Sequence, residues 1–325
     1  MTATTPAPRF VVPETLDPAT LASLDPKATI VDLAGETMGT RWRVKAALPS
    51  GRQDQGIAEA VQRRLDAIVD EMSHWNEGSR LVRYNLSAPG SWAHLPPDFA
   101  AVMTCAIEIA ERSDGAFDPA LGRLTDLWSL GPNRRPTPTD AQIAETIAHT
   151  GWRKLAFDAE SVRLRQPGGL WLDLSGIAKG FAADTLADLL AERGLHHGLV
   201  EVGGEFAGRG MRPDGDPWWV ELETPPDFAL PPLRIALHQI AVATSGDYLR
   251  GAHTLDPATG TPAIHATTSV SVVHDSCMAA DAWASALSVL PPEEARRLAK
   301  RERVAARLIG RDGGEWLSPA FLRML

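Results

Sequence analysis

Five short β-type stretches follow one another between Gly198 and Val273: "GLVEVG", "WWVELE", "LRIALH", "IAVATS" and "SVSVV". Only Gly, Pro and Asp clusters separate them. Strands that come in runs, with few strand–helix alternations, predict an α+β fold with largely antiparallel sheets flanked by helices, not a doubly wound one. Earlier in the chain, "TRWRVKAAL" (40–48) alternates, with Trp42, Val44 and Ala46 on one face and basic residues on the other, as in a half-exposed strand. "GLWLDL" (169–174) reads as a strand feeding a helix over about 178–193 that stops at Gly194.

Helical spacing appears at Ile57, Val61, Leu65, Ile68 and Met72, predicting an amphipathic helix over 56–72. A second is expected over 96–112 with Asp98 as its cap, and a third over 139–151, opened by the capping box Thr139-x-x-Gln142. "ATSGDY" (243–248) reads as a hairpin turn, and "HTLDPATGTP" (253–262) as a strand running into an Asp-Pro/Thr-Gly turn. No internal repeat and no linker interrupts 29–325, so one catalytic-size domain is expected there. The proline-rich residues 1–28 read as a flexible arm.

A net charge of −9 argues against nucleic acid as a partner, so a phosphate-rich ligand would need local devices to receive it. The N-terminal stretch has neither the basic region nor the apolar core of a signal peptide, and nothing reads as a transmembrane span. The expected compartment is the cytoplasm. Cys105 and Cys277 sit in apolar surroundings without CxxC spacing; reduced thiols and a disulfide both stay open. No HExxH or Gly-x-Ser-x-Gly is present, and the His196-His197 pair reads as surface, so a zinc hydrolase lacks its ligands.

Some segments break local rules. "MAADAWASAL" (278–287) is almost wholly apolar or small yet carries Asp281, whose charge is costly to bury unpaired. On a helix Asp281 and Ser285 share a face. They could hold a hard cation, or be a capping aspartate and an ordinary serine. In "LDLSGIAKGFAAD" (172–184), Asp173 interrupts an apolar run and Lys179 falls in the first turn of a helix, where a cation is disfavoured unless an anion sits there. "GETMGT" (35–40) has glycines that permit close backbone approach around the soft side chain of Met38, or is an ordinary turn.

Taken in order, "GETMGTRW", "MSHWNEGSRLVRYN", "DGAFDPALGRLTDLW", "LDLSGIAKGFAAD", "VEVGGEF", "ATSGDY", "HTLDPATGTP" and "AADAWAS" resemble the FAD:protein FMN transferase (ApbE) family over about 30–322. The resemblance implies a Mg²⁺-dependent enzyme that cleaves FAD and attaches the FMN moiety to a Thr or Ser hydroxyl of an acceptor flavoprotein, releasing AMP. It implies FAD contacts from Met38, Trp75, Ala116, Phe117, Asp118, Asp173, Lys179 and Leu255, and a metal held by the Gly176 carbonyl, Asp281 and Ser285. His253, before the Asp-Pro turn, is the candidate base; its alternative is a structural histidine bonded to a strand carbonyl. Trp75 stands where the family often has Tyr, and Ser285 where it usually has Thr. Many relatives are exported lipoproteins, whereas this chain shows no lipobox cysteine. Two other outcomes share the same site: an FAD pyrophosphatase yielding FMN and AMP, and a non-catalytic FAD carrier.

Overall fold

The computed structural model describes residues 7–54, 56–248, 254–264 and 267–325. Its centre is an eight-stranded sheet, ordered in space Glu315–Leu317, Ala305–Gly310, Thr267–His274, Ile240–Gly246, Glu205–Arg209, Gly198–Val202, Thr40–Leu48 and Thr29–Thr37. Each neighbouring pair is antiparallel, and the architecture is α+β.

One face of the sheet is covered by the helices Ile57–Met72, Ala178–Glu192 and Cys277–Val289, with Pro97–Arg112 packed on the first and last of these. In the core so formed they bury Leu65, Ile68, Phe99, Leu186 and Trp283, each contributing about 1.5–3 kcal/mol by leaving water. The other face carries a small sheet, Arg9–Val11, Leu233–Leu237 and Trp218–Glu221, over Ile240, Val242 and Val273. Two-sided cover explains the continuous apolar run Ile240–Ala243, while the edge strand Thr29–Thr37 is mostly exposed or half-buried. Among the described residues no helix is long and apolar enough to cross a membrane.

Several local expectations are corrected. "GLWLDL" is not a strand. The Asn85 amide accepts the Leu172 N–H through Oδ1 (2.7 Å) and donates to the Leu172 carbonyl through Nδ2 (3.1 Å), and the Pro119 carbonyl accepts the Asp173 N–H, so no strand partner is needed. In "ATSGDY", Ala243–Gly246 is the end of a strand in register with Ser269–Val272. The helix expected from 96 begins after an extended Pro96 with no side-chain cap, and Asp98 in its first turn pairs with Arg64. The Thr139/Gln142 capping box is present, but its helix ends at Ile147. Both cysteines are free.

Residues 7–28 run along the body instead of hanging loose. Arg9–Val11 adds a parallel strand to Leu233–Ile235, and Arg9 pairs with Glu315. Glu315 also binds the fully buried Arg307 at 2.7 Å, whose remaining nitrogens reach the Glu223 carbonyl and Thr224. Val12 donates to the Met324 carbonyl at 2.8 Å. The helix Pro18–Ala22 is clamped by histidines: His238 Nε2 accepts the Asp17 N–H at 3.0 Å, and Ser23 Oγ meets His197 Nε2 at 3.1 Å. His197 is thus buried, unlike its exposed neighbour His196.

The His197 Nδ1 accepts the Met211 N–H at 3.1 Å, which requires a bare nitrogen. Burial, mainly, holds this imidazole below its ordinary range. The unfolded chain then binds the proton more readily, so the clamp's stability is present above about pH 6.5 and lost as pH falls below it. Hydrogen exchange, corrected for intrinsic rates, is expected to show weaker protection of the Met211 amide at about pH 5.5 than at about 7.5. His197→Gln, which keeps an acceptor and cannot titrate there, should remove the dependence. Equal protection at both pH values in the wild type would count against the clamp.

Candidate functional site

The turns at one end of the large sheet, the first turn of the Ala178 helix, the Ala116–Asp118 loop and the end of the small sheet enclose a cleft of about 1210 Å³. Single small-molecule sites run roughly 300–1,000 Å³, so the space suits a large ligand. Met38, Trp75, Ala116, Phe117, Asp118, Asp173, Gly176, Lys179, Leu255, Asp281 and Ser285 all line it. His253 lies outside the described residues; its neighbour Thr254 is part of the lining.

Met38 and Gly39 are the two residues of a tight hairpin turn between paired Thr37 and Thr40, both with positive φ (50° and 69°). Glycine adopts that conformation freely, whereas Met38 gives up roughly 1–2 kcal/mol to present its side chain at the cleft. Trp75 is 56% exposed, a large flat face at the rim. Asp118, by contrast, is buried and turned into its own loop, accepting the Ala120 N–H (2.7 Å) and the Trp152 N–H (2.9 Å). Burial lifts its carboxyl to about 6 against those bonds. It shapes the loop that sets Phe117 into the cleft wall. Asp173 takes the Thr125 hydroxyl and the Ser175 N–H and lies 3.6 Å from His74 Nδ1. Burial opposes its charge, but His74, Thr125 and Ser175 together hold it below the usual carboxylate range.

The deepest part is built by two helices that cross closely. Asp281 accepts the Gly180 N–H at 3.0 Å, and Asp184 accepts from Ser276 Oγ (2.8 Å) and the Cys277 (2.9 Å) and Met278 (3.0 Å) amides. Each helix thus supplies a carboxylate to the other's first turns, where the macrodipole favours negative charge. Gly180 makes the approach possible, since a Cβ there would fall 2.8 Å from Asp281 Cβ and closer still to the Cys277 carbonyl.

Lys179, also in a first turn, forms an ion pair with Glu205. Burial disfavours its charge, but Asp281 and then Glu205 more than offset that, so it stays a cation. Burial raises the carboxyls of both Asp281 and Glu205, the ammonium opposing it in each case. Four residues along from Asp281, Ser285 Oγ points to the Gly176 carbonyl at 3.4 Å. That is long for a hydrogen bond and near the separation of about 3 Å expected for neighbouring oxygens on a small octahedral cation. Among the described residues there is no cluster of three His, Cys, Asp or Glu that could hold a metal, so a cation here would rely on one carboxylate, a hydroxyl and a carbonyl. An all-oxygen set with a single anion fits Mg²⁺ and not a soft metal.

Glu205 was not singled out from sequence, although it stands in "VEVGGEF". The signal available was Lys179 itself, a first-turn cation in need of a counter-charge. Thr125, His74 and Asp184 were likewise given no role.

The ApbE family model matches residues 38–308. The chain is 33% identical over 317 residues to the FAD:protein FMN transferase of Klebsiella pneumoniae (strain 342), covering 92% of this chain and 91% of that one. With the protein of the same name from Escherichia coli (strain K12) it shares 33% over 310 residues, 90% and 88% of the two chains. Among solved structures it resembles the flavin transferase ApbE from Vibrio cholerae (TM-score 0.86, 32% identity, 92% of this chain and 100% of that). It also resembles the apo Pseudomonas stutzeri flavinyl transferase ApbE (TM-score 0.84, 32% identity, 91% and 97%).

The helix crossing gives a direct test. Gly180→Ala is expected to force the two helices apart and cost roughly 1–3 kcal/mol, read by denaturant or thermal unfolding. Unchanged stability would mean that the approach is not tight.

Proposed function

The chain belongs to the ApbE family and is an FAD:protein FMN transferase; we propose that this cleft takes FAD across its length and passes the FMN half to a Thr or Ser hydroxyl of an acceptor flavoprotein. What supports the site assignment most directly is one juxtaposition. A helix start bearing Lys179 lies beside the oxygen donors Asp281, Ser285 and Gly176, all at the floor of the same cleft. In this reading the pyrophosphate lies there, met by Lys179 and by backbone N–H groups of the helix start. The flavin ring lies against Trp75 and Met38, an aromatic face and a polarisable thioether. Phe117, Ala116 and Leu255 give apolar wall, Asp118 holds the loop that carries two of them, and Asp173 offers a half-buried, charged acceptor in the same cleft.

The reaction is a displacement at phosphorus. The acceptor hydroxyl oxygen bonds to the FMN-side phosphorus while the bond from that phosphorus to the bridging oxygen breaks, and AMP leaves with the electron pair. His253 takes the hydroxyl proton. Lys179 fixes the phosphates in line and offsets their charge, positioning being most of what such a transfer needs from a protein. Asp281, Ser285 and the Gly176 carbonyl would hold Mg²⁺, which when bound supplies charge neutralisation at the pyrophosphate.

The deciding experiment incubates the protein with FAD, Mg²⁺ and a candidate acceptor, reading AMP release and covalent FMN on the acceptor by in-gel fluorescence and mass. AMP and free FMN without labelled acceptor would mark hydrolysis instead. His253→Ala should keep FAD binding and lose transfer by about 10²–10⁴-fold. Near-normal transfer would return His253 to a structural role.

Asp281→Asn keeps shape and an acceptor for the Gly180 N–H while removing the charge. The expected outcome is a folded protein whose transfer needs much higher Mg²⁺. Ser285→Ala should weaken Mg²⁺ less, because water can replace one neutral oxygen. Normal transfer by Asp281→Asn at limiting Mg²⁺ would place the cation elsewhere.

A further inference from the structure

Lys179 feels the charge of two buried carboxylates and touches one of them. Its ammonium is in a direct ion pair with Glu205. Among the described residues no ion pair joins it to Asp281, although Asp281 exerts the larger favourable field on it. Asp281 accepts the Gly180 N–H instead. Glu205 is an expensive residue to keep for stability alone: its side chain is 3% exposed, and Oε2 is buried with no hydrogen-bond partner among the described residues. The backbone nevertheless enforces its place. Gly203 and Gly204 turn with φ of 64° and 101°, and a Cβ on Gly203 would lie 2.8 Å from Thr40 and 3.3 Å from the Lys179 stem. The turn brings the start of the Glu205 strand against the lysine.

We propose that Glu205 is a positioning residue that holds the Lys179 ammonium off Asp281, so that the aspartate stays open to a divalent cation. The proposal rests on the reading of Asp281, Ser285 and Gly176 as that cation's donors. Lys179 and the cation compete for Asp281. Lys179 is half-buried, its side chain 28% exposed, and an ammonium so placed is drawn to a buried counter-charge. With Glu205 gone, Asp281 is the carboxylate left acting on it among the described residues. Lys179 has a flexible stem and can swing to it, and a cation would then have to displace a lysine already bound there. Charge alone is not enough for the task. The carboxylate must reach, which separates a positioning role from a general field effect.

The test uses the free full-length protein without FAD and follows its melting midpoint against Mg²⁺ concentration, which yields an apparent affinity by linkage. Glu205→Gln is expected to raise the Mg²⁺ requirement about tenfold or more. Glu205→Asp should do the same, because it keeps the charge but is one methylene short of the ammonium. Adding Lys179→Met to either variant should return the requirement to within about threefold of wild type, since the competitor is gone. Should Glu205→Gln not fold, Glu205→Asp with and without Lys179→Met makes the same comparison. A Glu205→Asp protein with the wild-type requirement overturns the proposal, as does a double variant as weak as its single parent. A wild-type protein whose melting ignores Mg²⁺ overturns the cation reading itself, which is a separate result.

Discussion

The crossing of the Ala178 and Cys277 helices at Gly180 governs where everything in the cleft stands. Because residue 180 has no side chain, the Cys277 carbonyl sits against its Cα and Asp281 reaches the backbone N–H beside it. Asp184 returns the favour one turn along, fastening the first amides of the partner helix. Two helix starts that would otherwise expose unsatisfied donors satisfy each other. The alternatives posed for Asp281 from sequence, cation ligand or capping aspartate, are therefore not exclusive. One carboxylate oxygen can serve the neighbouring helix while the residue still lines the cleft.

On the proposed reading of the cleft, that arrangement also answers how an acidic protein receives an anionic substrate. The net charge of −9 offers no general attraction. What is offered is local: a helix dipole, one ammonium paired with Glu205 in the field of Asp281, and donors suited to a hard cation. One ammonium faces two carboxylates, Glu205 and Asp281, and so the pieces must be held apart with care. A buried charge network of this kind is poor as glue and good as a means of fixing positions.

Much of this was legible in the sequence, and the failures have causes. Antiparallel α+β architecture followed from strands in runs, and the amphipathic Ile57–Met72 helix from the spacing of Val61, Leu65 and Ile68. The oddities of Asp281 and Lys179 were visible because each violates a local preference. "GLWLDL" misled because alternation is the mark of a strand, while what satisfies its backbone is the side chain of Asn85, 87 residues earlier for Leu172. Glu205 was missed because a glutamate opening a strand breaks no local rule; its burial depends on Lys179, 26 residues back. The arm misled for a similar reason. Proline-rich composition says nothing about a partner such as Glu315, 306 positions away.

That last contact bears on the order in which the molecule can be completed. Arg9 closes on Glu315, Glu315 on Arg307, and Arg307 on the Glu223 carbonyl and Thr224. Glu223 itself lines the cleft. One wall of the cleft is thus bolted to both the earliest and the latest described parts of the chain. On a ribosome, this wall must wait for strands beyond residue 300. Pairings over such separations carry a large loop-closure cost and form late. The Glu223 wall of the cleft is accordingly fixed by contacts that span nearly the whole chain, and it shares the wait for Ala305–Gly310 with the main core, which buries Ala306 and Leu308.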